Sequence, residues 1–145
     1  MNPHKVLVAL DESAPAHRAL QWALARAQRA HDEVWALSVL DTRKVMVAAR
    51  VPARGADEVA SYGERLERLL EGAASTAASA GVSLHTALRP SNDPADAILT
   101  FAREGAFAEI VLGHRAKSGV ERMVLGSTAL RVLELSPVPV TIVHA

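Results

Sequence analysis

The chain has 145 residues, half of them hydrophobic, enough to bury a sizeable core without covalent staples. Sixteen Lys and Arg balance sixteen Asp and Glu, which excludes a protein that holds nucleic acid or anionic membrane by bulk charge. Cysteine is absent, excluding disulfides, thiolate nucleophiles and Cys-built metal centres, and two Trp, one Tyr and two Phe leave little with which to stack unpaired bases.

The first ten residues are too short and too polar for a secretory leader, and no apolar run approaches the ~20 residues that span a bilayer. The expectation is a soluble, cytoplasmic, single domain over residues 1–145. Residues 5–10 (KVLVAL) read as a strand buried on both faces. Ser13 is placed to cap a helix, and Ala16, Ala19, Leu20, Ala23, Leu24 and Ala27 form its inner stripe. Residues 34–40 read as a second strand. Residues 41–56 lack a clear period and read as a long loop. Asp57 is placed to cap the next helix, whose stripe runs through Val59, Tyr62, Leu66, Leu69, Leu70, Ala73, Ala77 and Ala80, with Gly81 at its C′ position.

Residues 82–88 read as a third strand, and Asn92-Asp93-Pro94 as a helix start, because a proline at the first helical position has no amide to lose. Ile98, Leu99, Phe101 and Ala102 form that helix's inner side, and Gly105 ends it. Residues 108–112 make a fourth strand, 113–125 a loop with a short helical piece, and 127–135 a helix that stops at Ser136-Pro137. Residues 138–143 make a fifth strand, which Pro139 confines to a sheet edge. Trp22 and Trp35 are expected to anchor packing between the first helix and the sheet or its edge. This alternation calls for crossover connections and an open, mostly parallel five-stranded sheet with helices on both faces, a Rossmann-like α/β class.

Such sheets bind ligands beyond the carboxyl ends of their strands, where strand order reverses. Asp11-Glu12-Ser13 and the stretch opening at Gly113 both qualify by position. In the second, Gly126-Ser127-Thr128 opens a helix and offers amides, a positive dipole and two hydroxyls to a phosphate, with Arg115 and Lys117 nearby. An ordinary loop with a serine N-cap fits the same spacing, and Asp11 is equally placed to cap the first helix. Ala116-Lys117-Ser118 is not a Walker loop, since Val111 and Ala116 stand where that pattern needs glycine. The six histidines show no metal-ligand spacing, so no metal site built from protein alone is expected, while Mg²⁺ carried by phosphates fits. His114 reads either as a ligand contact or as a plain loop residue, and Glu12 as a solvated side chain.

The opening K-V-L-V-A-L-D-E-S and the later L-G-H-R-A-K-S-G…V-L-G-S-T…S-P-V-P-V-T-I-V resemble the universal stress protein family over essentially the whole chain. ATP-binding members carry G-x-x-G, nine residues, then G-[ST]. Here Gly113 fills the first position, Ala116 stands at the second glycine, and Gly126-Ser127 follows after nine residues. The resemblance implies the adenine nucleotide alpha hydrolase-like strand order 3-2-1-4-5 and a bound adenine nucleotide (ATP, or AMP or ADP). Backbone at Ala9, Leu10 and Val39 would line the base, and Asp11 would lie near the ribose. Gly113, Arg115, Ala116, Gly126, Ser127, Thr128 and Ala129 would surround the phosphates. It also implies a homodimer through the C-terminal edge strand, at Val138, Val140 and Ile142.

Three functions are compatible with these features. The first is a stress-response sensor that signals its nucleotide state to a protein partner not named by the sequence. The second is a slow ATP hydrolase or autokinase, with Glu121 as the one acid in the candidate loop. The third is a nucleotide-free dimeric interaction module. The zero net charge hides unequal blocks: residues 113–131 hold Arg115, Lys117, Arg122 and Arg131 against Glu121 alone. Neutral composition therefore limits the size of an anionic ligand without excluding one.

Overall fold

Strand and helix alternate along the chain in a computed structural model that describes residues 2–50, 55–114 and 125–144. The elements are β1 (Lys5–Ala9), α1 (Ala14–Ala30), β2 (Glu33–Asp41), α2 (Thr42–Ala49), α3 (Gly55–Ser79), β3 (Leu84–Ser91), α4 (Pro94–Glu104), β4 (Glu109–Gly113), α5 (Ser127–Leu135) and β5 (Val140–Val143). The strands form one sheet in the order β3-β2-β1-β4-β5, every pair parallel. Open α/β class and strand order are as expected.

Side chains alternate across the sheet with the period of two that a strand imposes. Val6 and Val8 pack with α1 and α3, whereas Leu7 packs with α4 and α5. Both faces are covered, which is why β1 is apolar at consecutive positions. The stripe of α1 is buried at all six expected residues. Its alanines let the helix lie close to the sheet.

Helix ends follow local chemistry. Ser13 Oγ accepts from the Ala16 amide at 3.3 Å, and Asp93 Oδ1 accepts from the Asp96 amide at 3.2 Å. At the end of α3, Gly81 has φ +74, Val82 N–H donates to Ala77 O, and Gly81 N–H donates to Ala78 O. That is a Schellman motif, which requires the left-handed conformation glycine tolerates.

Several expectations need correction. Residues 42–49 are helical where a loop was expected. Asp41, at the end of β2, accepts from the Arg43 amide and so satisfies one of the first donors of α2. Asp57 lies inside α3, two residues past Gly55, and is not its cap. Val82 belongs to the Schellman turn, so the third strand starts at Leu84 and runs on to Ser91. Pro139 precedes β5, and its carbonyl accepts from Ile110 N–H. Trp22 is 38% exposed, with the Arg26 guanidinium 4.7 Å above its ring, so it anchors no core. Trp35 packs on the opposite face, against His85, Phe101 and Phe107. Among the described residues no helix is long and apolar enough to cross a membrane.

Candidate functional site

Strand order reverses at β1, whose neighbours β2 and β4 are reached by crossovers in opposite directions. The carboxyl ends of these three strands bound a cleft of about 540 Å³.

Its floor arises because the strands end at different heights. Glu33 N–H donates to His4 O, and Leu10 N–H donates to Leu37 O, both at 2.9 Å, so odd-numbered residues of β2 face β1. Past Leu10 the chain turns away, while β2 continues to Asp41. Val39 therefore presents its N–H and C=O on an edge where no strand lies. Leu10's carbonyl is already bonded to the buried Ser38 hydroxyl, at 2.8 Å. Val39 O receives a long 3.5 Å bond from the Tyr62 hydroxyl, which in turn accepts from Asp41 N–H at 3.2 Å.

Asp11 lies at the mouth, exposed, with Oδ1 accepting from the Ser13 amide at 2.8 Å. It braces the turn into α1 but does not cap the helix, a role taken by Ser13. Its neighbour Glu12 pairs with Arg65 at 3.1 Å, a contact its solvated reading did not include.

Gly113 and Gly126 stand at the far wall for different reasons. A Cβ on Gly113 would overlap the Pro15 carbonyl group and lie 2.9 Å from Ala16 N. Glycine there lets β4 meet the start of α1. Around Gly126 nothing among the described residues lies within 4 Å of such a Cβ. Gly126 is the N-cap of α5 and makes no side-chain cap bond, so the expected serine N-cap is corrected: Ser127 is the first helical residue. Among the described residues no side chain caps the amides at Ser127, Thr128 and Ala129, which open the helix at its positive end.

The fold thus brings Ala9, Leu10, Asp11, Val39, Gly113, Gly126, Ser127, Thr128 and Ala129 onto one cleft. Arg115, Ala116, Lys117 and Glu121 lie outside the described residues. His114 is buried but does not line the cleft; its Nε2 has no partner among the described residues, and its ring lies 5.3 Å from that of His144.

Sequence reasoning missed Asp41, Arg43, Lys44 and Tyr62, which form the β2 wall. Arg43 grips the Asp41 carboxylate at 3.0 and 2.9 Å, and this hydrogen bonding holds Asp41 below its ordinary carboxylate pKa. The charged run directly after the second strand was the available signal, since that strand ends at the ligand side of the sheet. Next to Pro94 of the cleft lining, Arg131 bonds both oxygens of Asp93 and lowers its pKa. Among the described residues no group of three His, Asp or Glu could hold a metal ion.

At the opposite edge β5 pairs with β4 alone. Pro139 O and Val143 O accept from β4 and from His114, so by the strand period Val140 and Ile142 turn their peptide groups outward. Leu130 and Leu133 of α5, and Trp22 of α1, are exposed.

A family model described as the universal stress protein family matches residues 3–144. The chain is 34% identical to Universal stress protein YxiE of Bacillus subtilis, over 97% of this chain and 99% of that protein. It shares its fold with the universal stress protein from Archaeoglobus fulgidus in complex with dAMP (24% identity, 97% of each chain, TM-score 0.67). It also shares it with a universal stress protein family protein from Arabidopsis thaliana with AMP bound (20% identity, 98% of this chain and 92% of that one, TM-score 0.70).

Proposed function

The chain belongs to the universal stress protein family, and on that premise we propose that it binds an adenine nucleotide, ATP or AMP, and serves as a cytoplasmic stress-response sensor acting as a homodimer. The observation that carries this reading is the strand-free edge of Val39 facing the cleft that the N-terminal start of α5 also lines. A strand residue whose N–H and C=O point to an edge that no strand covers matches the amidine edge of adenine, whose N1 accepts and whose 6-amine donates. Guanine presents the reverse pattern there and would set acceptor against acceptor.

The phosphates would run towards Ser127, Thr128 and Ala129, where amides and helix dipole favour negative charge. The open space at Gly126 leaves room for a phosphate oxygen near the backbone. Asp11 would take the ribose hydroxyls. Any Mg²⁺ would arrive with the phosphates and be held mainly by them. The dAMP and AMP bound to the two relatives of this fold support the same ligand class. Isothermal titration with ATP, AMP and GTP tests the reading. Heat is expected with the first two and not with GTP; no heat with any of them overturns it.

A further inference from the structure

We propose that the Tyr62 hydroxyl is a second acceptor for the 6-amine of the bound base and strengthens the preference for adenine over hypoxanthine that the Val39 edge begins, an inference that rests on the adenine reading above. Tyr62 comes from α3, yet its side chain lines the cleft and reaches the free edge of β2. There its oxygen accepts from Asp41 N–H at 3.2 Å, and its proton points to Val39 O at 3.5 Å.

A phenolic hydroxyl has one proton and two lone pairs. Val39 takes the proton and Asp41 one lone pair, so the other has no partner among the described residues. Asp41 is itself held in place by Arg43, which bonds its carboxylate through both backbone and guanidinium. The ring is flanked by the cations of Lys44 and Arg65, 5.7 and 5.5 Å from its centroid. The hydroxyl is therefore fixed beside the carbonyl that would receive one hydrogen of the 6-amine. The second hydrogen of that amine would fall to the Tyr62 oxygen. A 6-keto group has no hydrogen to give either oxygen, and accepting the tyrosine proton would strip it from Val39.

The test titrates AMP, its N6-methyl derivative and IMP into the unaltered protein and Tyr62→Phe, with thermal melting to check that the variant folds. AMP affinity should fall roughly three- to tenfold in Tyr62→Phe, the effect of one hydrogen bond, with IMP unchanged. On the unaltered protein, N6-methyl-AMP should bind as weakly as AMP binds the variant. An AMP-to-IMP ratio equal in the two proteins overturns the inference. If the variant fails to fold, N6-methyl-AMP binding as tightly as AMP to the unaltered chain overturns it as well. Absence of AMP binding to the unaltered protein removes the adenine reading and this inference together, whereas AMP binding that Tyr62→Phe leaves unweakened removes only this one.

Discussion

Gly113 at the end of β4 lies against the Pro15 carbonyl at the start of α1, so closely that a methyl group at position 113 would overlap it. The contact sets how near the first helix approaches the ligand end of the sheet. Gly113→Ala should therefore cost about 1 to 3 kcal/mol, because backbone on both sides has little room to give. Chemical denaturation measures the loss; an unchanged midpoint would show that the helix shifts freely.

Gly126 predicts the opposite pattern. A methyl group there meets no atom of the described residues, so Gly126→Ala should change stability by no more than about 1 kcal/mol, the scale of an N-cap substitution. It would intrude on the space assigned to a phosphate and weaken ATP roughly tenfold, the equivalent of one charge-assisted hydrogen bond. Titration calorimetry on the folded variant separates this outcome from that at Gly113.

The two glycines show what was legible in the sequence. Their spacing marked both for one loop, but their separate reasons depend on where α1 crosses β4, which no local pattern encodes. Elements with strong periodicity, such as the alanine stripe of α1, could be read directly. The eight residues of α2 could not, because Met46 and Val47 are exposed and no buried stripe appears among its described side chains. Tyr62 read as one more position on the inner stripe of α3. Its role at the cleft comes from contacts with residues 21 and 23 places earlier.

At the other end of the sheet Glu109 sets an acid limit on stability. Burial pushes its carboxyl up, but hydrogen bonds from Arg26 and His4 outweigh burial and leave it below its ordinary value of 4.5. Arg26 bonds both oxygens at 2.9 and 3.0 Å, and Thr141 adds a third donor at 3.0 Å. A folded-state pKa below the unfolded value means the contribution is complete above that unfolded value and is lost as pH falls through the folded one. Glu109→Gln should cost about 2 to 3 kcal/mol at neutral pH and flatten the decline in stability below about pH 4.5. Denaturation midpoints across that range decide it; parallel acid limbs in the two proteins would sink the assignment.

The open edge of β5 gives the last prediction. The ladder to β4 uses the peptide groups of Pro139 and Val143, and the alternation between them leaves Val140 and Ile142 facing outward. Exposed backbone of this kind beside Leu130, Leu133 and Trp22 is a template for another strand. A two-fold axis lets the same edge of a second copy satisfy both. The protein should sediment as a dimer at micromolar concentration. Val140→Pro removes an outward amide that β4 does not use, so the variant should keep its fold and sediment as a monomer. Far-UV circular dichroism checks the fold, and a variant that stays folded and dimeric would place the interface elsewhere.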